Sequence, residues 1–248
     1  MPPDYSIVIP AYNEEELLPA TLDAIRKAMR EVGPHTGEIV VTDNDSDDRT
    51  AEIAADAGAR VVFEEHRQIS RSRNVGGYGA QGRYLIFVDA DTLISPALLR
   101  ATLAALDTGK ICGGGTVVTV DPHQPPWVQR VIRWTSAALK LCKWACGAYV
   151  YCLREAFIDT GGFDERYYAT EEIHFSRALK RWGRPRGMRF EILNEPIETS
   201  MRKFEWYSPL ELLRMMLATV LIPTRIRSQA DCGFWYTRPN AKPRGETQ

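Results

Sequence analysis

No run of the 248 residues is apolar for long enough to cross a bilayer, which takes about 20 residues. The nearest candidate, Leu210 to Pro223, is short and carries Glu211 and Arg214, so no transmembrane anchor is expected in this chain. An excess of one charge is missing too. The 31 Lys and Arg against 32 Asp and Glu give a formal net charge of −1, without the basic surplus of a dedicated nucleic-acid binder. The five cysteines (Cys112, Cys142, Cys146, Cys152, Cys232) form no Cys-x-x-Cys pair, so neither a zinc site nor a disulfide framework is indicated. Reduced thiols in the cytoplasm are expected instead. Met1-Pro2-Pro3-Asp4 runs straight into a predicted strand, so no secretory leader is expected. No glycine loop ends in Lys-Ser or Lys-Thr, which excludes P-loop chemistry. Gly77-Tyr78-Gly79-Ala80-Gln81-Gly82 has dinucleotide-fingerprint spacing. It precedes a strand instead of following one, so no helix start is placed to receive a phosphate.

What is present reads as an ordinary globular chain, 44% hydrophobic and 25% charged, of one large domain with an appendage. Ser6 to Pro10, Glu38 to Thr42, Arg60 to Phe63 and Tyr84 to Val88 read as strands. Helical patterns separate them, which predicts an α/β fold with a parallel-rich sheet. Asn13 and Glu16 are spaced as a capping pair for the first helix. The run Tyr84 to Val88 does not alternate with polar residues, so it is a strand buried on both faces. It ends at Asp89-Ala90-Asp91. Ligands of such sheets gather at the carboxyl ends of strands. Two carboxylates one residue apart there suit Mg²⁺ or Mn²⁺ bridging to phosphates. Ser95-Pro96 then starts a helix.

Two more acidic clusters, Asp43/Asp45 and Glu171/Glu172, fall at a strand end and a helix start, and Asn13/Glu14 follows the first strand. A carboxylate and a phosphate charge ~4 Å apart repel by about 4 kcal/mol at an effective dielectric of roughly 20. A phosphate ligand at this edge therefore requires a cation. The chemistry that fits is displacement of a diphosphate leaving group at carbon. A metal would neutralise the departing oxygens, and Glu171 or Glu172 would take the proton of an incoming hydroxyl. The helix dipole is expected to lower the carboxylate's pKa and keep it ionised.

Val8 to Glu14, Asp43 to Thr50, Arg73-Asn74-Val75-Gly76, Phe87 to Thr92, and Gly161-Gly162-Phe163-Asp164-Glu165 followed by Glu171-Glu172 occur in this order. In that order the chain resembles glycosyltransferase family 2 over about residues 5 to 185. The resemblance implies a GT-A fold, a mixed and mostly parallel sheet flanked by helices. It also implies inverting, Mn²⁺- or Mg²⁺-dependent transfer from a nucleotide diphosphate sugar. Residues 1–200 would be the GT-A domain, with a nucleotide half (1–95) and an acceptor half (96–200). Residues 201–248 would add a helix and a flexible tail.

By the same resemblance, Pro10, Tyr12 and Glu14 line the nucleotide pocket. Asp43 and Asn44 lie at the base, and Arg73 near base or phosphate. Asp89 and Ala90 face the ribose, Asp89 and Asp91 the metal. Glu172 is the base, with Glu171 toward the hydroxyl acceptor. Asn44 stands where many members have Asp and modestly favours UDP-sugars, because its carbonyl can accept from an imide N–H. No Gln-x-x-Arg-Trp motif appears, so transfer of a single sugar is expected over polymerisation. A non-catalytic nucleotide-sugar-binding module of the same fold is the alternative.

Trp127 to Ala145 has a helical stripe of Val131, Trp134, Ala138, Leu141 and Ala145, flanked by Arg130, Arg133 and Lys140 and free of acidic residues. Two readings stay open: a core-packing helix with a solvated basic side, or peripheral contact with an anionic inner membrane face. The apolar stretch 210–222 carries the same pair of readings. Met201-Arg202-Lys203-Phe204 could bring cations over the diphosphate.

Overall fold

The computed structural model describes residues 2–119, 125–199 and 225–236. They fall into two compact units, one of residues 2–165 and 170–199, the other of 166–169 and 225–236.

In chain order the larger unit contains β1 (Tyr5–Ala11), α1 (Leu18–Glu31), β2 (Gly37–Asp43), α2 (Thr50–Asp56), β3 (Arg60–Phe63), α3 (Ile69–Gly79), β4 (Tyr84–Val88) and β5 (Thr92–Leu93). It continues with α4 (Pro96–Asp107), β6 (Ile111–Thr119), α5 (Pro126–Cys142), β7 (Tyr149–Leu153), α6 (Arg154–Thr160), α7 (Glu171–Gly183) and β8 (Arg189–Thr199). The strands form one mixed sheet in the order β3-β2-β1-β4-β7-β6-β8-β5. β3, β2, β1 and β4 run parallel, and β7 enters antiparallel beside β4.

Alternation along the strands explains the two cores. Tyr5, Ile7, Ile9, Ile86 and Val88 point to the face covered by α1, α2 and α4. Val8, Val40, Leu85 and Phe87 point to the other, covered by α6 and α7. There the rings of Phe87, Phe157, Phe163 and Phe175 pack together, Phe87 meeting Phe163 edge-on at 5.0 Å. α3 shares that face and comes very close to the sheet: a Cβ on Gly76 would lie 2.4 Å from the Val8 side chain.

Two local expectations are corrected, the cap of α1 and the packed face of α5, and the start of α7 is unusual. Asn13 does not cap α1, which starts at Leu18 without a side-chain cap. Thr170 occupies the N-cap position of α7, but with a left-handed backbone (φ 62°) and no capping bond. The stripe read on residues 127–145 is not the packed face of α5: Trp134 and Leu141 are exposed and Val128 is buried. The helix is turned so that Ser136 Oγ donates to the Val118 carbonyl at 3.2 Å.

In the smaller unit Ala169, Ile226 and Cys232 are buried against Tyr167, Tyr168 and Tyr236. The expected 210–222 helix and the Met201 to Phe204 cations lie outside the described residues. Among the described residues no helix is long and apolar enough to cross a membrane.

Candidate active site

Because β1, β2 and β4 are parallel neighbours, their following loops leave at one edge. The first two are stitched together. Asn13 adopts φ 52°, a region that Asn enters more readily than most residues. Its amide then donates to Asp47 Oδ1 (2.5 Å) while its carbonyl oxygen accepts from Asp47 N–H (2.9 Å). Glu14 N–H donates to Thr50 Oγ1 at 2.8 Å. Pro10 is half-buried near the end of β1, and the Tyr12 ring lies 4.3 Å below the Arg67 guanidinium, which also bonds Asp45. Asp43 is buried and accepts from Ser46 N–H at 3.2 Å.

Asn44 does something the sequence reading did not foresee. Its amide donates to the carbonyls of Glu64 (2.9 Å) and His66 (2.7 Å), and its Oδ1 accepts from Gln68 N–H (3.1 Å). Both donors hold the β3–α3 loop, and Oδ1, the acceptor expected to meet an imide N–H, is taken by Gln68 N–H in a side chain buried under that loop. Asn44 therefore gives no preference for uracil.

In the turn after β4, Ala90 is buried and its carbonyl accepts from Thr21 Oγ1 at 2.8 Å, which ties the turn to α1. Asp89 and Asp91 on either side are partly exposed. Among the described residues no three His, Cys, Asp or Glu side chains gather as a ready-made metal cage. A dication carried with a diphosphate needs only one or two protein carboxylates, so the pair fits such an ion.

Arg73 is the hub of the site. It is 2% exposed. From α3 its guanidinium donates to Glu171 Oε1 at 2.6 Å, to Asp89 Oδ1 at 2.9 Å and to the Gly147 carbonyl at 2.9 Å. Burial opposes its charge, but Asp89, Glu171 and Glu172 more than offset that and hold it firmly protonated. The neighbouring Asn74 fixes a different loop: it donates to Phe163 O and Glu165 Oε1 (both 2.9 Å) and accepts from Phe163 N–H (2.8 Å). Asn74 and Gly147 carry weight that the sequence reading did not assign them. The signal available in the sequence was Asn74 standing beside Arg73 ahead of the glycine pair Gly76-Gly77, which lies against Val8 and Phe157.

Glu171, expected toward the acceptor, is instead 4% exposed and faces Arg73. Glu172 lies beside Gly147, where a Cβ would come 3.6 Å from its carboxyl carbon. Its pKa is not lowered as the helix dipole suggested. Burial, then the charge of Glu171, push it up to about 8 against the pull of Arg73. The dipole amounts to a fraction of a kcal/mol to about 2 kcal/mol, less than enclosing a second carboxylate beside the first costs.

A fold built this way, with acidic loops at the carboxyl edge of a 3-2-1-4 parallel half, matches known proteins. The model of "Glycosyl transferase family 2" matches residues 6–193.

The chain belongs to glycosyltransferase family 2.

An uncharacterized glycosyltransferase of Mycobacterium bovis is 31% identical over 182 residues, 71% of this chain and 80% of that protein. Among solved structures, a mannosyltransferase from Pyrobaculum calidifontis in complex with GDP-Man and Mn²⁺ superposes with a TM-score of 0.66 at 19% identity. The match covers 91% of this chain and 64% of that one. Glucosyl-3-phosphoglycerate synthase from Mycobacterium tuberculosis, solved with Mn²⁺, UDP and glucosyl-3-phosphoglycerate, gives 0.59 at 19% identity over 92% of this chain and 82% of that one. The GT-A architecture of the family 2 chain is thus established.

Proposed function

We propose that this family 2 chain transfers one sugar, with inversion, from a nucleotide diphosphate sugar to a hydroxyl acceptor. The observation that carries the reading is the convergence on Arg73 of the acid turn after β4 and the Glu pair of α7. Pro10, Tyr12, Glu14 and Asp43 would line the nucleoside side, and Asn44 would support it through the loop it holds. Asp89 and Asp91 would hold Mn²⁺ or Mg²⁺, which when bound supplies positive charge for the departing diphosphate. Mn²⁺ accompanies both solved relatives named above. Arg73 keeps Asp89 and Glu171 in place across the sheet. Glu172 is the proton acceptor: its raised affinity for a proton makes it a strong base once ionised, which in the free chain comes as pH rises toward about 8. Glu171 orients that base and spaces it from the acid turn.

Release of nucleoside diphosphate from UDP- and GDP-sugars with Mn²⁺ and a hydroxyl acceptor tests the reading. Wild type should turn over at least one donor. Asp91→Asn should lower the rate on the order of 10²-fold or more, the cost of losing charge stabilisation at a leaving group. Wild type that binds donor, shown by a raised melting temperature, yet releases no diphosphate with any acceptor would favour the non-catalytic binding module.

A further inference from the structure

Helix α5 presents an outer face that the transfer chemistry does not use. Trp134 and Leu141 are 73% and 86% exposed, the most exposed large apolar side chains among the described residues. Seven residues apart, they share one side of the helix, with exposed Arg130 and Ala137 along the same ridge. Arg133 and Lys140, both exposed, run along its flank, and Lys143 follows at the helix end. No Asp or Glu occurs from residue 122 to 154. Among the described residues none of these four cations pairs with a carboxylate; Lys140 reaches only Asn194 Oδ1, at 2.6 Å. Lys180 of α7 extends the basic field beyond the helix end, donating to the Cys142 carbonyl at 2.9 Å. Burial and the charge of Lys143 lower its pKa, as expected where positive charges crowd without counter-ions.

We propose that α5 seats the protein on the anionic face of a lipid bilayer. Trp134 and Leu141 enter the interface, and Arg130, Arg133, Lys140 and Lys143 meet the headgroup phosphates. Long basic side chains extend their charge outward from an apolar ridge, and aromatic and leucine side chains supply interfacial burial. A second copy of the chain is a poorer occupant. A two-fold contact through this helix would set four cations against four, and like charges across an interface oppose association. The surface is tied to the candidate active site by a short link: residues 143–146 lead from α5 to Gly147, whose carbonyl Arg73 holds. The inference stands apart from the transfer reading, because lipid binding is measured without donor or acceptor.

The test is co-sedimentation of the whole chain with vesicles of phosphatidylcholine alone and of phosphatidylcholine mixed with phosphatidylglycerol. The protein should pellet with the mixed vesicles only. It should return to the supernatant at about 1 M salt, where the screening length falls to about 3 Å. Arg133→Gln/Lys140→Gln should weaken partitioning about 25-fold, the sum of two basic contacts to an anionic surface. Trp134→Ser/Leu141→Ser should also release the protein, and both double variants should keep the wild-type melting temperature. Full recovery in the supernatant with both vesicle types overturns the proposal. So does pelleting that neither double variant changes, which would place the contact elsewhere. A doubled mass in light scattering that Trp134→Ser/Leu141→Ser halves, without vesicle binding, would assign the face to a second copy.

Discussion

Arg73 and Glu171, 98 residues apart in sequence, are joined by a 2.6 Å charged hydrogen bond between side chains that are 3% and 6% exposed. One partner sits on the helix before the central strand and the other opens the helix that carries Glu172. The bond therefore couples the part of the fold before β4 to the helix that carries the Glu pair. Replacing Arg73 by Met removes the cation and leaves Glu171 enclosed without a counter-charge. The expected loss is about 3 kcal/mol, the lower part of the range for breaking a buried ion pair. Asp89, 35% exposed, adds little because water screens it. Arg73→Lys should recover only part of the loss, since one ammonium cannot reproduce a fork that serves Glu171, Asp89 and the Gly147 carbonyl at once. Urea unfolding measures both. An Arg73→Met chain within 1 kcal/mol of wild type, judged against ~1 kcal/mol as a typical point-mutant effect, would contradict this account.

The Glu172 carboxyl gives a stability effect whose sign depends on pH. It titrates at about 8 in the folded chain against an ordinary 4.5. Between those values the folded state holds a proton that the unfolded state has lost, so stability falls as pH rises through this window. The contribution is fully present below pH 4.5 and gone above about 8. Glutamine mimics the protonated acid at every pH. Glu172→Gln should therefore melt close to wild type at acid pH and distinctly higher than wild type at alkaline pH. Thermal melts in metal-free buffer at both ends decide the matter, and a difference that does not change with pH removes the argument.

Much of this arrangement was legible in the sequence, and the parts that were not share a cause. β1 to β4 could be read because each is an apolar run closed by polar residues, and the acidic residues at their ends follow from the parallel edge. Ser95 caps α4, its Oγ accepting from Leu98 N–H, as Ser95-Pro96 implied. Thr92–Leu93 could not be seen, because a two-residue strand exists only through its pairing with β8. The insertion of β7 between β4 and β6 is likewise a matter of long-range pairing. The direction of the Glu172 pKa and the bonds that Asn44 makes were missed for the same reason. A side chain's partners and its desolvation are set by what the fold brings alongside, here the loop at residues 64–68 for Asn44 and, for Glu172, the burial that encloses it beside Gly147.

Asn44 offers a direct check of that lesson. Its two amide hydrogens point at the Glu64 and His66 carbonyls, and the residue is 5% exposed. Asn44→Asp keeps the shape but turns donors into a negative oxygen facing two carbonyl oxygens. Asn44→Ala merely leaves the carbonyls without partners. Each unsatisfied buried group costs about 1–3 kcal/mol. Asn44→Asp should therefore be the more destabilised variant at neutral pH and should approach Asn44→Ala as acid protonates the new carboxyl. Chemical denaturation of both variants across pH measures the effect. An Asp variant more stable than the Ala variant at neutral pH would show that Asn44 is not acting as a donor.

Thr170 precedes the Glu pair with φ 62°, a conformation that a β-branched side chain adopts only under constraint. Its side chain makes no capping bond, while its carbonyl accepts from Ile173 N–H at 3.0 Å. What the position contributes is thus a backbone direction, which aims the first turn of α7 at Arg73. Asn13 and Asp45 at the facing loops are also left-handed, and strained residues of this kind gather where a site must be held in one geometry. Inside a helix, glycine is less stable than alanine by roughly 0.5–1 kcal/mol. Here the order should invert, because alanine keeps a Cβ that resists positive φ and glycine does not. Thr170→Gly should be more stable than Thr170→Ala by about 1 kcal/mol. It should also turn over donor more slowly than wild type, because the freed backbone no longer fixes Glu171 and Glu172. Paired unfolding curves with a single-donor rate measurement separate the two effects, and an alanine variant equal to or more stable than the glycine one would mean that the left-handed turn is not what sets the Glu pair.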